Sequence, residues 1–209
     1  MAKPTDRDAH YFRAKREGYV ARSVYKLIEI DKRFKIFRSG AGVIDLGASP
    51  GSWATFASER VGAKGFVTAI DLNPIRARLP ANVRCIEADV AAADDEEIRA
   101  WGFPVHTVIS DMAPKTSGVR FADQARSLEL AIAALRVAEL TLEIGGNFIV
   151  KVFQSADADR FVRDLRAQFR DVKIVKPDAS RAASWEVFVV ATRFLGQEKR
   201  RGEKPQDTE

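Results

Sequence analysis

Val43-Ile44-Asp45-Leu46-Gly47-Ala48-Ser49-Pro50-Gly51-Ser52-Trp53 is the stretch that decides the fold. Val43–Leu46 is a short apolar run suited to a covered strand, the glycines make a turn, and a helical pattern runs from Trp53 to Val61. Strand, glycine turn and helix form the opening unit of a doubly wound sheet. The dinucleotide-binding version of this unit needs glycine where Ser49 stands, because the backbone must approach a pyrophosphate there. Asp-x-Gly-x-x-Pro-Gly instead suits a cofactor without phosphates.

Outward from this loop, strands and helices alternate. A helix is expected to end near Phe34, with Val24, Leu27 and Ile28 on one side. Strands follow at Phe66–Ile70, Val83–Ala88, Val105–Ser110, Asn147–Phe153, Val172–Val175 and Glu186–Thr192. Helices are expected at Asp94–Trp101, Phe121–Glu143 and near Asp157–Phe169, the long one carrying Leu128, Ile132, Leu135 and Leu142 at helical steps and ended by Gly145-Gly146. Alternation implies a mostly parallel sheet of seven strands with helices on both faces, a Rossmann-like α/β fold. No helix separates the last two strands, so the final one is expected to insert antiparallel.

S-adenosylmethionine fits the loop, its amino acid part meeting the backbone around Asp45, Gly47, Pro50 and Gly51. Asp71 closes the second strand, the usual place to grip two ribose hydroxyls, and Asp89 closes the third, where it can accept from an adenine amine. Strand-ending aspartates also cap turns, and a tryptophan such as Trp53 is as readily a core aromatic as a cofactor contact.

Four polar residues interrupt segments that otherwise read as ordered or buried: Lys26, Asp111, Lys151 and Glu186. An ammonium inside Asn147–Phe153 is costly unless paired or deprotonated. Asp111 lies past the carboxyl end of strand four, Lys151 in the carboxyl half of strand five, and Glu186 at the start of an antiparallel strand. These three meet at the sheet edge where open parallel sheets bind ligands. Two lysines and two carboxylates in one pocket form a proton-handling site. The alternative is an ion-pair network that only holds the sheet edge together.

The basic excess is local. Residues 1–40 hold eleven Lys or Arg against five Asp or Glu, whereas the rest of the chain holds 23 against 24. Tyr11, Tyr19 and Tyr25 share that segment, so stacking rings beside phosphate-binding cations, and hence RNA, are expected there; the alternative is a solvated helix face with the tyrosines against the core. Residues 1–18 read as a basic arm, 19–195 as the domain and 196–209 as a disordered polar tail. With 46% hydrophobic residues the chain buries one sizeable core. Cys85 is the single cysteine, which excludes an internal disulfide and a cysteine-built metal centre. The start has no apolar leader and no membrane span is visible, so a cytoplasmic monomer with no resident metal is expected.

These motifs together resemble the FtsJ/RrmJ (RlmE) family of RNA ribose 2′-O-methyltransferases, from about residue 7 to residue 193. The likeness rests on Arg22-Ser23-Val24-Tyr25-Lys26-Leu27, Asp45-Leu46-Gly47-Ala48-Ser49-Pro50-Gly51, Ser110-Asp111-Met112-Ala113-Pro114, Val150-Lys151-Val152-Phe153-Gln154, and Lys176-Pro177-Asp178 leading to Ser184-Trp185-Glu186-Val187. The resemblance implies methyl transfer from S-adenosylmethionine to a ribose 2′-hydroxyl, on a uridine of large-subunit ribosomal RNA first and transfer RNA second. It implies a catalytic set of Lys26, Asp111, Lys151 and Glu186, and cofactor contacts at Gly51, Trp53, Asp71, Asp89 and Asp111. Lys151 is then the general base and Lys26 a charge that steadies the developing alkoxide. Three positions depart from the family pattern: Ser49 for Ala, Ser52 for Gly, and Lys115 for Asn. Methylation at cytosine C5 needs a cysteine at the cofactor edge, and Cys85 sits inside strand three. Amino-group methylation needs an aromatic after the strand-four acid, where Met112-Ala113-Pro114 stands. A non-catalytic RNA-binding assembly factor is the rival from another class.

Overall fold

The computed structural model describes residues 12–180 and 184–196; the first eleven residues of the basic arm, Tyr11 among them, Arg181 and the tail from residue 197 lie outside them. The elements run α1 (Val24–Phe34), β1 (Gly42–Leu46), α2 (Ser52–Val61), β2 (Phe66–Asp71), β3 (Val83–Glu87), α3 (Asp95–Trp101), β4 (Val105–Ser110), α4 (Arg120–Thr141), β5 (Leu142–Phe153), α5 (Ala156–Leu165), β6 (Phe169–Val175) and β7 (Glu186–Phe194), with a short helical turn at 12–16 ahead of them. The strands form one sheet in the order β3-β2-β1-β4-β5-β7-β6. Only β7 runs antiparallel, between β5 and β6.

Alternate residues of each central strand feed two separate cores, as a pleated sheet requires. Ile44, Phe148 and Val150 pack with Trp101, Ala134, Val137 and Phe161 of α3, α4 and α5. Val43, Ile149 and Phe188 pack with Leu27, Ile30, Trp53 and Ala57 of α1 and α2. Lys151 lies two residues beyond Ile149 and therefore faces the α1–α2 side. Capping follows local chemistry: Asp94 accepts from the Glu97 N–H and Ser155 from the Ala158 N–H.

Two details of the α4–β5 region differ from expectation. The buried stripe of α4 is small, with Ser127, Ala131, Ala134, Ala138 and Thr141, while Ile132 is exposed and Leu128 and Leu135 are only partly covered. Small residues let the helix lie close to the sheet, and the larger ones fall to its flanks. Nor does the glycine pair end this helix. α4 stops at Thr141 and Leu142 is already extended. Gly145 and Gly146 lie inside β5, whose register against β4 shifts between Val105 and Thr107. Gly145 takes φ +86°, and a Cβ on Gly146 would sit 2.9 Å from the His106 carbonyl oxygen. The glycines serve an irregular strand pairing and a close backbone approach instead of a cap.

Candidate active site

Four elements deliver the polar quartet to the carboxyl edge of the sheet. Asp111 continues β4, its N–H donating to the Leu46 carbonyl at 3.2 Å. Lys151 projects from β5 opposite Phe188, and Glu186 opens β7 opposite Phe153. Both pairs are on the same pleat, so Lys151 and Glu186 share a face. Lys26 arrives from α1, which packs on that face, with its Nζ 5.6 Å from the centre of the Phe188 ring.

The quartet is organised as two ion pairs. Lys151 Nζ donates to Asp111 Oδ1 at 2.9 Å and to the Asp111 carbonyl oxygen at 2.6 Å, with only 6% of the lysine side chain exposed. Lys26 Nζ meets Glu186 Oε1 at 2.5 Å. Burial pushes the Glu186 carboxyl up, but the hydrogen bond and charge of Lys26, joined by the charge of Lys151, outweigh it and hold Glu186 below the usual carboxylate range. Each ammonium has three donors and both keep capacity beyond their carboxylate partners. An oxygen placed between the pairs would meet two cations whose positions are fixed from behind.

The glycine loop lies against this arrangement. Gly47, at φ +74°, leaves no space for a side chain: a Cβ there would fall 2.8 Å from Met112 Cγ and 3.0 Å from Met112 N. The loop is therefore in contact with the residue after Asp111. Gly51, at φ +110°, precedes α2, whose first-turn N–H groups have no partners within the helix. Asp71 Oδ2 accepts from the Ser49 N–H at 3.0 Å and Oδ1 from the Asn73 N–H at 2.8 Å. Asp89 Oδ1 accepts from the Ala91 N–H at 2.9 Å. Both aspartates thus shape their turns, and each carboxylate retains lone pairs for a ligand. Side-chain-free glycines, open helix N–H groups and two strand-end carboxylates suit a phosphate-free nucleoside cofactor with an amino acid arm.

Two expected cofactor residues are enclosed by the fold. The Trp53 ring packs on Phe188 with centroids 5.7 Å apart, and its Nε1 donates to the Ser23 carbonyl, so the indole belongs to the α1–α2 core. Asp45 is fully buried beneath the loop. Burial raises its carboxyl well above the usual range, Asp111 and Asp71 add to the rise, and the Ala54 backbone N–H offsets only part of it. A carboxyl that stays protonated when folded but ionises when unfolded lowers stability as pH climbs above the unfolded value, about 3.9. Asp45→Asn should therefore gain stability over the parent as pH rises from 4 to 8, with little difference at pH 4. Urea unfolding across that range checks this, and a pH-independent difference would contradict it.

The two tyrosines of the basic segment among the described residues, Tyr19 and Tyr25, are not open stacking surfaces. Tyr25 is buried and donates to Glu17, and burial first, then that hydrogen bond, pushes its hydroxyl up to about 12. Tyr19 is half-buried and donates to Glu59. Arg13 is paired with Glu17 and lies over the Tyr25 ring. Exposed aromatics stand elsewhere: Trp185, next to Glu186 and with the Arg120 guanidinium over its ring, and Phe121 in the first turn of α4. The only sequence signal for Trp185 was a large apolar residue inside an otherwise polar loop.

Comparison with known proteins is consistent across sequence and structure. The family model for FtsJ-like methyltransferases matches residues 19–194. A protein named ribosomal RNA large subunit methyltransferase E from Nitratidesulfovibrio vulgaris is 51% identical over 195 residues, covering 92% of this chain and 96% of its own. Its namesake from Bdellovibrio bacteriovorus is 48% identical over 185 residues, 87% of this chain and 94% of its own. Among solved structures, a ribosomal RNA methyltransferase of Plasmodium falciparum superposes with a TM-score of 0.75 at 25% identity, over 86% of this chain and 100% of its own.

Proposed function

The chain belongs to the FtsJ-like methyltransferase family, and from that premise we propose that it methylates large-subunit ribosomal RNA on a ribose 2′-hydroxyl of a uridine, with S-adenosylmethionine as donor. The observation that carries the chemistry is the pairing of Lys151 with Asp111 and of Lys26 with Glu186 beside the glycine loop. The substrate assignment is supported by relatives close to half identical over nearly their whole length.

Bound at the loop, S-adenosylmethionine supplies an electrophilic methyl group on a sulfonium. The backbone around Gly47, Pro50 and Gly51 would receive its amino acid arm, Asp71 would accept from its ribose hydroxyls and Asp89 from its adenine amine, with Asp111 on the methyl side. Lys26, held by Glu186, presents a fixed positive charge to the ribose oxygen. Lys151, in its neutral form, would take the hydroxyl proton, and Asp111 would hold the ammonium that results. Orientation of the hydroxyl by two anchored lysines supplies the in-line placement that a poor nucleophile needs.

Tritiated-methyl transfer to isolated large subunits, small subunits, total ribosomal RNA and transfer RNA tests the assignment. Label is expected in large-subunit RNA at one alkali-resistant linkage; label confined to transfer RNA would overturn it. Asp71→Ala should weaken S-adenosylmethionine binding about tenfold or more, the scale of a lost hydrogen bond to a charged group, with turnover at saturation nearly kept. Calorimetric binding alongside single-turnover rates separates the two, and unchanged affinity would remove Asp71 from the cofactor site.

A further inference from the structure

We propose that Trp185 and Arg120 form a stacking platform for an RNA base next to the ribose that is methylated. The inference rests on the RNA-methylating reading above and adds the residues that hold the strand.

The platform joins the two loops that frame the quartet. One leads from Asp111 to α4, the other from β6 to Glu186. Arg120, the first residue of α4, places its guanidinium carbon 4.4 Å from the centre of the Trp185 ring. Trp185 immediately precedes Glu186, and its carbonyl accepts from the N–H of Gln154, one residue past β5. The main chain that carries the ring is therefore tied to the strand that carries Lys151. Its other side is held by Lys176, whose Nζ donates to the Ser184 carbonyl at 2.9 Å.

The loop carrying Arg120 is equally fixed. Asp123 Oδ1 accepts from the Ser117 N–H and hydroxyl, and Oδ2 from the Gly118 N–H. Arg126 donates to the Lys115 carbonyl. These contacts of the described residues hold an aromatic ring in place while leaving Trp185 44% exposed and Phe121, next to Arg120, 76% exposed. Trp53 and Trp101, by contrast, are 3% and 2% exposed.

The chemistry favours a nucleobase as occupant. An indole face attracts any base, largely independent of sequence. A guanidinium stacked on the ring keeps its in-plane N–H groups free to meet a phosphate or a base edge. Lys115 and Lys176 add positive charge on the same two loops. Trp185 and Glu186 are consecutive and leave the strand on opposite faces, so the platform stands on the α4 side of the same sheet edge whose α1–α2 side carries Lys26 and Lys151.

Because Trp185 is the one exposed tryptophan, intrinsic fluorescence reports on it directly. A short oligouridylate added to the full chain should quench the emission, since a stacked base deactivates an excited indole. Trp185→Phe should lose the quench, assigning the signal, while keeping a stacking face and a KM for ribosomal RNA near the parent value. Trp185→Ala should raise that KM about tenfold, within the range measured for stacking one base on an aromatic, with kcat changed far less. Arg120→Gln should raise KM a few-fold and flatten its salt dependence. Wild-type emission that does not move at RNA concentrations saturating methyl transfer would overturn the platform, as would a Trp185→Ala variant with parental KM. Should the wild type transfer no methyl group to any RNA, the functional reading fails by itself, and quenching by the oligonucleotide still decides the platform.

Discussion

Lys151→Ala should leave a folded protein that binds S-adenosylmethionine within about threefold of the parent yet transfers methyl groups about a thousandfold more slowly. The separation follows from geometry. Lys151 contacts Asp111 at the sheet edge, while the cofactor's other expected partners lie on the glycine loop and at or just past the ends of β2 and β3. Near-parental single-turnover rates in this variant would end its catalytic role. The pH profile tests the role more finely. A base acts in its neutral form, so if Lys151 takes the proton the wild-type rate should climb with pH. Glu186 does not confound the slope on its acidic side, because it is held ionised below the usual carboxylate range. Lys26→Met, which removes the neighbouring charge, should lower the rate, and Lys26→Arg should keep more of it. A flat profile, with chemistry shown to be rate-limiting, would make Lys151 a fixed charge that steers the hydroxyl, the proton leaving to solvent.

Asp111→Ala should cost stability as well as rate, about 2–3 kcal/mol, because it strands the buried Lys151 ammonium. That is a large share of the margin of an ordinary domain. The retained bond to the residue 111 carbonyl keeps the loss at the low end of what breaking a buried pair costs. Lys151→Met, which removes the charge and keeps the bulk, should be much milder. The Asp111→Ala/Lys151→Met double variant should then be more stable than Asp111→Ala alone, though inactive. Urea unfolding of the four proteins closes the cycle, and strictly additive losses would show that the two groups do not stabilise each other.

The strands were legible from sequence because they are apolar runs of ordinary length between turn residues, and the antiparallel place of β7 followed from a missing crossover helix. The end of α4 was not. Gly145-Gly146 has the composition of a helix stop, and only the pairing of β5 with β4 reveals that it serves a shifted register. The four polar residues of the site were legible as misfits within ordered segments. Their partnership was not, because Lys26 and Glu186 are brought together by α1 docking on β7 from 160 residues away. Tyr25 follows the alternative reading for a related reason: a ring beside arginines reads as a nucleic-acid surface, but this one is covered once α1 docks. Asp45 matched a loop pattern, whereas its burial depends on α2 closing over β1.

The absence of a side chain at Gly47 sets a limit on how this catalyst can be remodelled. With Met112 filling the space a Cβ would need, the glycine loop lies directly against the segment holding Asp111. Enlarging the donor pocket from its floor, to admit sulfonium analogues with bulkier transferable groups, would therefore displace the carboxylate that anchors Lys151. Room for such reagents has to be made along the outer wall, at Ile75 and Leu79, which lean over Gly51 and carry none of the proton chemistry.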